Sequence, residues 1–220
     1  IGHVRLILLD TWLPENSVQD REITHRLYGG DRNTRIEQEI LLGVGGVQAL
    51  AALGLKPTVW HVNEGHAAFL ILERIRNLVA AGQPFAAALE ATAANVVFTT
   101  HTAVPAGHDH FAEDVIRRYF SHWERDTGIT CERLLALGAE PGKTDFNMTA
   151  LAIRGSRHQN GVSRIHCDVS ARICGHFWPQ LSPAENPMDY VTNGVHLPTF
   201  LATEWHETFD RYLGVGWQQR

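Results

Sequence analysis

The chain has 220 residues, of which 44% are hydrophobic and 20% charged, and a formal net charge of -5. That length and apolar share fit one full hydrophobic core and exclude the disordered, collagen-like and coiled-coil classes. Mild acidity argues against a nucleic-acid footprint, and no apolar run is long enough to span a membrane.

In chain order, Val4–Asp10 (VRLILLD) is an apolar run of strand length and reads as a buried strand. Because a core strand comes so early, with no targeting signature before it, the chain is expected to be a piece of something longer. The turn residues of Asp10–Asn16 follow, and helical periodicity then runs from about Asp20 to Tyr28 until Gly29-Gly30 breaks it. Asn33 is the expected N-cap of a helix to about Leu53, with Gly54 as its stop. Pro57–Asn63 reads as the second strand and Glu64–Ala81 as a helix ended by Gly82. Pro84–Ala94 is a further helix and Asn95–Thr100 the third strand. Beyond the loop His101–His110 come helices at about Phe111–His122 and Cys131–Leu137. Asn147–Arg154 fits either strand or helix, and Gly161–Cys174 is helical after a glycine turn. Trp178–Pro187 is a connector, Tyr190–Val195 a last short strand and Thr199–Leu213 a helical tail.

Strands alternating with helices predict an α/β fold: a Rossmann-like parallel sheet with helices on both faces. Ligands in such sheets bind beyond the carboxyl ends of the strands. Asn63–His66, His101–His110 and Asn193–His196 fall there, and all are rich in His, Asn, Asp and Glu.

Several chemistries lack their patterns. Gly43-Val44-Gly45-Gly46 misses the dinucleotide-binding spacing and lies in a helical pattern. Gly142-Lys143-Thr144 resembles the end of a phosphate-binding loop, but Leu137 stands where that loop needs glycine. His61, Glu64 and His66 form neither zinc-peptidase order, and no serine or cysteine nucleophile signature is present. Metal binding by His108-Asp109-His110 stays open, though no third element supplies an obvious ligand, so no metal site is assigned. Polyol recognition also stays open: His101-Thr102 after a strand, Asn160-Gly161 in a turn and Asn193-Gly194 after a strand offer neutral polar groups. The three cysteines, Cys131, Cys167 and Cys174, make no disulfide framework, and a reducing cytoplasmic location is expected.

Six strings occur in order: ITHRLYGGDRNTRIEQE (Ile23–Glu39), HVNEGHAAFLILERIR (His61–Arg76), FTTHTAVPAGHDHF (Phe98–Phe111), FNMTALAIRGS (Phe146–Ser156), NGVSRIH (Asn160–His166) and VTNGVHLPTFL (Val191–Leu201). Together they resemble the α-glucan phosphorylase family, in its bacterial and archaeal branch. The resemblance implies phosphorolysis of a terminal α-1,4-glucosidic bond of glucan or maltodextrin by inorganic phosphate, releasing glucose 1-phosphate. It implies two Rossmann-like domains across a cleft, the GT-B arrangement, and a pyridoxal phosphate cofactor whose phosphate group serves a proton relay. On that reading residues 1–197 are the later part of the N-terminal domain, and 198–220 are the hinge and the start of the next. No nucleic-acid or membrane partner is implied.

The family likeness also implies residue roles. His101 would contact the glucosyl unit, with its carbonyl facing the developing positive charge, which makes it the catalytic candidate; Thr102 follows it in the same motif. Asn193 would hydrogen-bond the sugar hydroxyls, and Val162 would supply a backbone contact. Asp31 falls in the gate-loop segment, and Glu64 and His66 lie on the acceptor side. Departures are Glu64-Gly65-His66-Ala67 in place of Asp-Thr-His-Pro, and Arg157 in place of a histidine. Asp109 takes no role. Only Lys56 and Lys143 are present among the basic residues besides arginine, and neither has the neighbourhood of a Schiff-base lysine. The cofactor site is therefore expected outside this chain, which alone should be inactive. A nucleotide-sugar glucan synthase of the same architecture, or a non-catalytic carbohydrate-binding fragment, are the competing expectations.

Overall fold

The structure, a computed structural model, describes residues 4–27, 30–104 and 107–219. Tyr28 and Gly29, where the first helical period was expected to end, and Pro105-Ala106 lie outside the described residues. Helix α1 spans only Val18–Arg21, and turns replace the rest of that expected helix. Helices α2 (Arg32–Ile40) and α3 (Gly46–Ala52) are joined without a break by one wide π turn, Leu41–Gly45. Asp31, not Asn33, caps α2: its side chain accepts from Asn33 N and Thr34 N. An aspartate one residue earlier reaches the same orphan amides and leaves Asn33 inside the first turn.

Strand β1 (Trp60–Asn63) leads through a short 3-10 turn, Gly65–Ala67, into α4 (Phe69–Ala80). Then come α5 (Phe85–Ala93), β2 (Val96–Thr99), the short β3 (His110–Phe111), α6 (Glu113–Tyr119), α7 (Trp123–Thr127) and α8 (Cys131–Gly138). The ambiguous apolar stretch resolves into β4 (Phe146–Asn147) and helix α9 (Met148–Arg154). Strand β5 (His158–Gly161), α10 (Arg164–Cys174), β6 (Met188–Tyr190), α11 (Leu197–Phe200) and α12 (Thr203–Leu213) complete the described chain. Among the described residues no helix is long and apolar enough to cross a membrane.

The main sheet has the order β1-β2-β5-β6, and every pairing in it is parallel. Val62 pairs with Phe98, Thr99 with Asn160 and Gly161 with Tyr190. The predicted α/β class is thus observed. β3 and β4 form a separate antiparallel pair.

Three expectations are corrected. Val4–Asp10 forms no strand; Val4 is 76% and Leu8 78% exposed. An apolar run has strand propensity but gains a ladder only beside a neighbouring strand, and no described strand pairs with this segment. Asn160-Gly161 is not a turn but the end of β5, where Asn160 is buried. The last strand lies earlier than Tyr190–Val195, although Val191 N and Asn193 N still donate to Gly161 O and Val162 O at 3.0 and 3.1 Å.

The core centres on α4, whose Phe69, Ile71, Leu72 and Ile75 are fully buried. Phe69 stacks on Phe111 and Phe146, each at 6.4 Å, and meets Phe120 at 5.0 Å. The π turn packs Gly43 against the start of α4: a Cβ there would sit 2.8 Å from Leu70 N, so only glycine permits the approach. Asn147 caps α9 from a buried position, accepting from Thr149 N at 2.7 Å and Ala150 N at 3.2 Å. Asn147→Ala should therefore lower stability by about 1–2 kcal/mol in urea unfolding, and Asn147→Ser, which keeps a capping oxygen, by clearly less. Equal losses for both would show that the cap is not the reason.

Candidate functional site

A parallel sheet brings the carboxyl ends of its strands to one edge, and here that edge carries the polar segments found in the sequence. β1 runs into Glu64–His66, β2 into Thr100–Thr102, β5 into Val162, and β6 into Val191–Asn193. Hydrogen bonds link the segments across the edge. Thr100 N donates to Asn160 O at 3.0 Å, and Thr99 Oγ1 donates to Asn160 Oδ1 at 2.9 Å. His61 Nε2 lies 2.7 Å from Thr99 Oγ1, which completes a polar row across β1, β2 and β5. Val162 N donates to His166 Nδ1 at 3.2 Å, so the first turn of α10 holds the end of β5.

Glu64 is the unusual member. Its backbone has φ 62° and ψ -178°, a region occupied almost only by glycine. Holding a residue with a side chain there costs about 1–3 kcal/mol. Its side chain is buried, and Oε1 accepts from Thr102 N at 2.7 Å, from Thr100 Oγ1 at 3.2 Å and from His101 N. Glu64 N in turn donates to Thr99 O at 2.9 Å. The carboxylate expected to face a sugar is thus engaged with the backbone of the next strand's loop. His101 and Asn193 are exposed, and Thr102 and Val162 are half-buried.

A second cluster lies beside this edge. Asp31 and His66 line one open groove of about 580 Å3 with Arg35, Gly107 and Asp109. Arg35 Nη2 is 2.6 Å from His66 Nδ1 and 2.9 Å from Asp109 Oδ2, and His66 Nδ1 is 3.2 Å from Asp109 Oδ2. Arg35 Nε lies 2.9 Å from Glu39 Oε1, and Glu39 is 1% exposed. One guanidinium thus faces two carboxyl groups, and burial discourages a surplus negative charge. Burial first, and then the charge of Asp109, push the Glu39 carboxyl up to about 9 despite Arg35. Burial acts upward on Asp109 as well, but hydrogen bonds from His66 and Arg35 outweigh it and hold that carboxyl well below the usual range. Glu39 therefore carries the proton at neutral pH and Asp109 the charge. Glu39, His66 and Asp109 offer donor atoms within 4.8 Å of one another, a spacing a cation could use, and the Arg35 guanidinium already stands among them.

So the predicted residues form three linked groups: Glu64 with His101 and Thr102, Val162 with Asn193, and Asp31 with His66. The sequence motifs do not point to Arg35 or Glu39 and give Asp109 no role. The available signal was a glutamate on the buried stripe of α2, three residues after Ile36, with an arginine one turn before it.

The two lysines are accounted for. Lys143 is half-exposed and pairs with buried Glu140 at 3.0 Å, and Lys56 is exposed in a loop. Lys143 borders a cavity of about 270 Å3 with His108 and His176, but its side chain is 54% exposed and its ammonium is held by Glu140. Neither lysine is desolvated as a Schiff-base lysine must be, so the residues present do not fit pyridoxal phosphate.

No family model matches the chain. Curated relatives do match it. A glycogen phosphorylase of Mycobacterium tuberculosis (strain CDC 1551 / Oshkosh) is 45% identical over 217 residues, covering 93% of this chain and 25% of the relative. A maltodextrin phosphorylase of Thermococcus litoralis is 42% identical over 219 residues, with 99% of this chain and 26% of the relative covered. A glycogen phosphorylase of Aquifex aeolicus is 34% identical, with 97% and 31% covered. The chain therefore spans between a quarter and a third of the length of these relatives.

Proposed function

The chain belongs to the glycogen and maltodextrin phosphorylase family, as a segment of such a protein, and we propose that it forms the sugar-facing wall of a phosphorolytic active site. On this reading the full-length protein cleaves a terminal α-1,4-glucosidic bond with inorganic phosphate and releases glucose 1-phosphate. Residues 1–197 are the later part of the first domain of a GT-B enzyme, and 198–220 lead through the hinge. Pyridoxal phosphate and the groups that bind phosphate belong to the part of the protein outside these residues. The protein works in the cytoplasm.

The observation that carries the reading is the carboxyl edge of the sheet. It gathers neutral polar groups suited to a polyol: the exposed His101 and Asn193, the Thr102 hydroxyl and the Val162 carbonyl, which accepts from Asn193 N and keeps a second lone pair. The carbonyl of His101 stabilises the positive charge that develops on the sugar ring as the glucosidic bond breaks, because a fixed dipole aimed at developing charge needs no reorganisation. Asn193 and Val162 hold the sugar hydroxyls, and Asp31 and His66 border the groove through which the glucan approaches.

The test is a phosphorolysis assay of the full-length protein with maltoheptaose and phosphate. Glucose 1-phosphate should form, and His101→Ala should lower kcat/KM by the equivalent of about 1–4 kcal/mol. An inactive wild-type protein would sink the activity, and an unchanged His101→Ala variant would remove His101 from the site.

A further inference from the structure

Resting on that reading of the site, we propose that Glu64 is a positioning residue: it sets the orientation of the His101–Thr102 peptide rather than contacting substrate. A trans peptide is planar, with its N–H and C=O pointing in opposite directions, and no cis bond occurs among the described residues. Thr102 N donates to Glu64 Oε1 at 2.7 Å, so the carbonyl of His101, in the same peptide plane, points away from Glu64. His101 N donates to the same oxygen, which fixes the preceding peptide as well. Thr100 Oγ1 also donates to it at 3.2 Å. One buried carboxylate oxygen thus gathers donors from three successive residues at the end of β2. Among the described residues, no donor is bonded to the His101 carbonyl oxygen, which leaves it free to face a ligand.

The backbone of Glu64 explains how the carboxylate gets there. β1 and β2 are parallel neighbours, with Asn63 opposite Thr99. An ordinary extended or helical residue after Asn63 would carry its side chain elsewhere; the glycine-like φ of 62° folds it over the end of β2. Glycine at this position would relieve the strain but would remove the acceptor the two amides share, leaving Thr102 N only its 3.3 Å bond to Thr100 Oγ1. A glutamate in a glycine conformation is a local cost that the packing alone does not require, and its return is the fixed carbonyl.

Glu64→Gly therefore separates the two roles, because it removes the carboxylate and the backbone strain together. The experiment uses the full-length protein, wild type against Glu64→Gly and Glu64→Gln, with maltoheptaose and phosphate. The glycine variant should keep or raise its thermal midpoint. Its peptide spanning Phe98–Val104 should exchange amide hydrogens faster, and its kcat should fall about 100-fold, as for a reacting group displaced by an ångström, while KM holds. Glu64→Gln retains an acceptor oxygen and should recover most of both the exchange protection and the kcat. Unchanged exchange in Glu64→Gly overturns the proposal. So does a KM that rises while kcat holds, which would make Glu64 a direct substrate contact. If the wild-type protein shows no phosphorolysis, the activity reading fails by itself, and the exchange measurement alone then decides the role of Glu64.

Discussion

Arg35→Met lowers stability by about 1–3 kcal/mol at pH 8, as for a charged group that loses its partner in a partly buried site, and by less at pH 4. Methionine keeps the length and much of the packing of the arginine stem, so the loss reports the charge. In the native protein one guanidinium pairs with Asp109 and lies beside the buried Glu39, with nitrogen–oxygen distances of 2.9 Å to each. The sign of the pH dependence follows from which state holds more protons. The Glu39 carboxyl is raised from 4.5 to about 9 in the fold, so its proton favours the native state fully below pH 4.5. That contribution is lost progressively as the pH climbs to about 9. Asp109 behaves oppositely: its lowered carboxyl adds stability above its ordinary value of 3.8, which is lost as the pH falls below it. Without Arg35, Asp109 loses its principal cation, and protons can replace that cation only at low pH. Urea unfolding followed by hydrogen exchange within α2, at pH 8 and pH 4, measures both. The same loss at both pH values, or a loss below about 1 kcal/mol, would show that the cluster behaves like an exposed ion pair.

Phe69→Ala should cost about 3–5 kcal/mol, the range for a large aromatic removed from a packed core. Phe69 is fully buried at the start of α4 and touches the rings of Phe111, Phe120 and Phe146. Those rings come from three separate elements or their ends, so collapse around the hole needs several of them to shift together. Phe69→Leu should cost roughly half as much, since part of the volume is kept. Phe69 also follows the 3-10 turn Gly65–Ala67 at the start of α4, and its removal should speed amide exchange in that turn as well as in α4. A loss below about 1.5 kcal/mol would mean that the cluster repacks freely.

Much of the frame was legible in the chain. Trp60–Asn63 and Val96–Thr99 lie inside the predicted strands, and α4 and α5 lie inside the predicted helices, because buried parallel strands and amphipathic helices carry strong local signals. The convergence of Glu64, His101 and Asn193 at one edge followed from the parallel topology alone. Val4–Asp10 misled because the pattern of a strand says nothing about whether a neighbour is there to pair with it. Asn160-Gly161 misled differently: a pair typical of turns sits at the end of β5, where Asn160 O and Oδ1 accept from Thr100 N and Thr99 Oγ1. Glu64 could not be read as a backbone anchor, because its role depends on one dihedral angle that glutamate ordinarily avoids. The Arg35–Glu39–Asp109 cluster depends on contacts between residues far apart in sequence.

The wide turn at Leu41–Gly45 has a consequence for how the two halves of the α2–α3 rod face. Each residue of an ordinary helix advances the side-chain direction by about 100°. A π turn spreads its circuit over an additional residue and so acts as an angular offset between two otherwise continuous barrels. α2 can then aim Arg35 and Glu39 at His66 while α3 directs Gln48 to Glu73 on α4, 3.1 Å away. A uniform helix of the same length could satisfy one of those bearings but would swing the other off target. The bulge lets one rod serve the ion cluster at one end and the core helix at the other, each on its own compass heading.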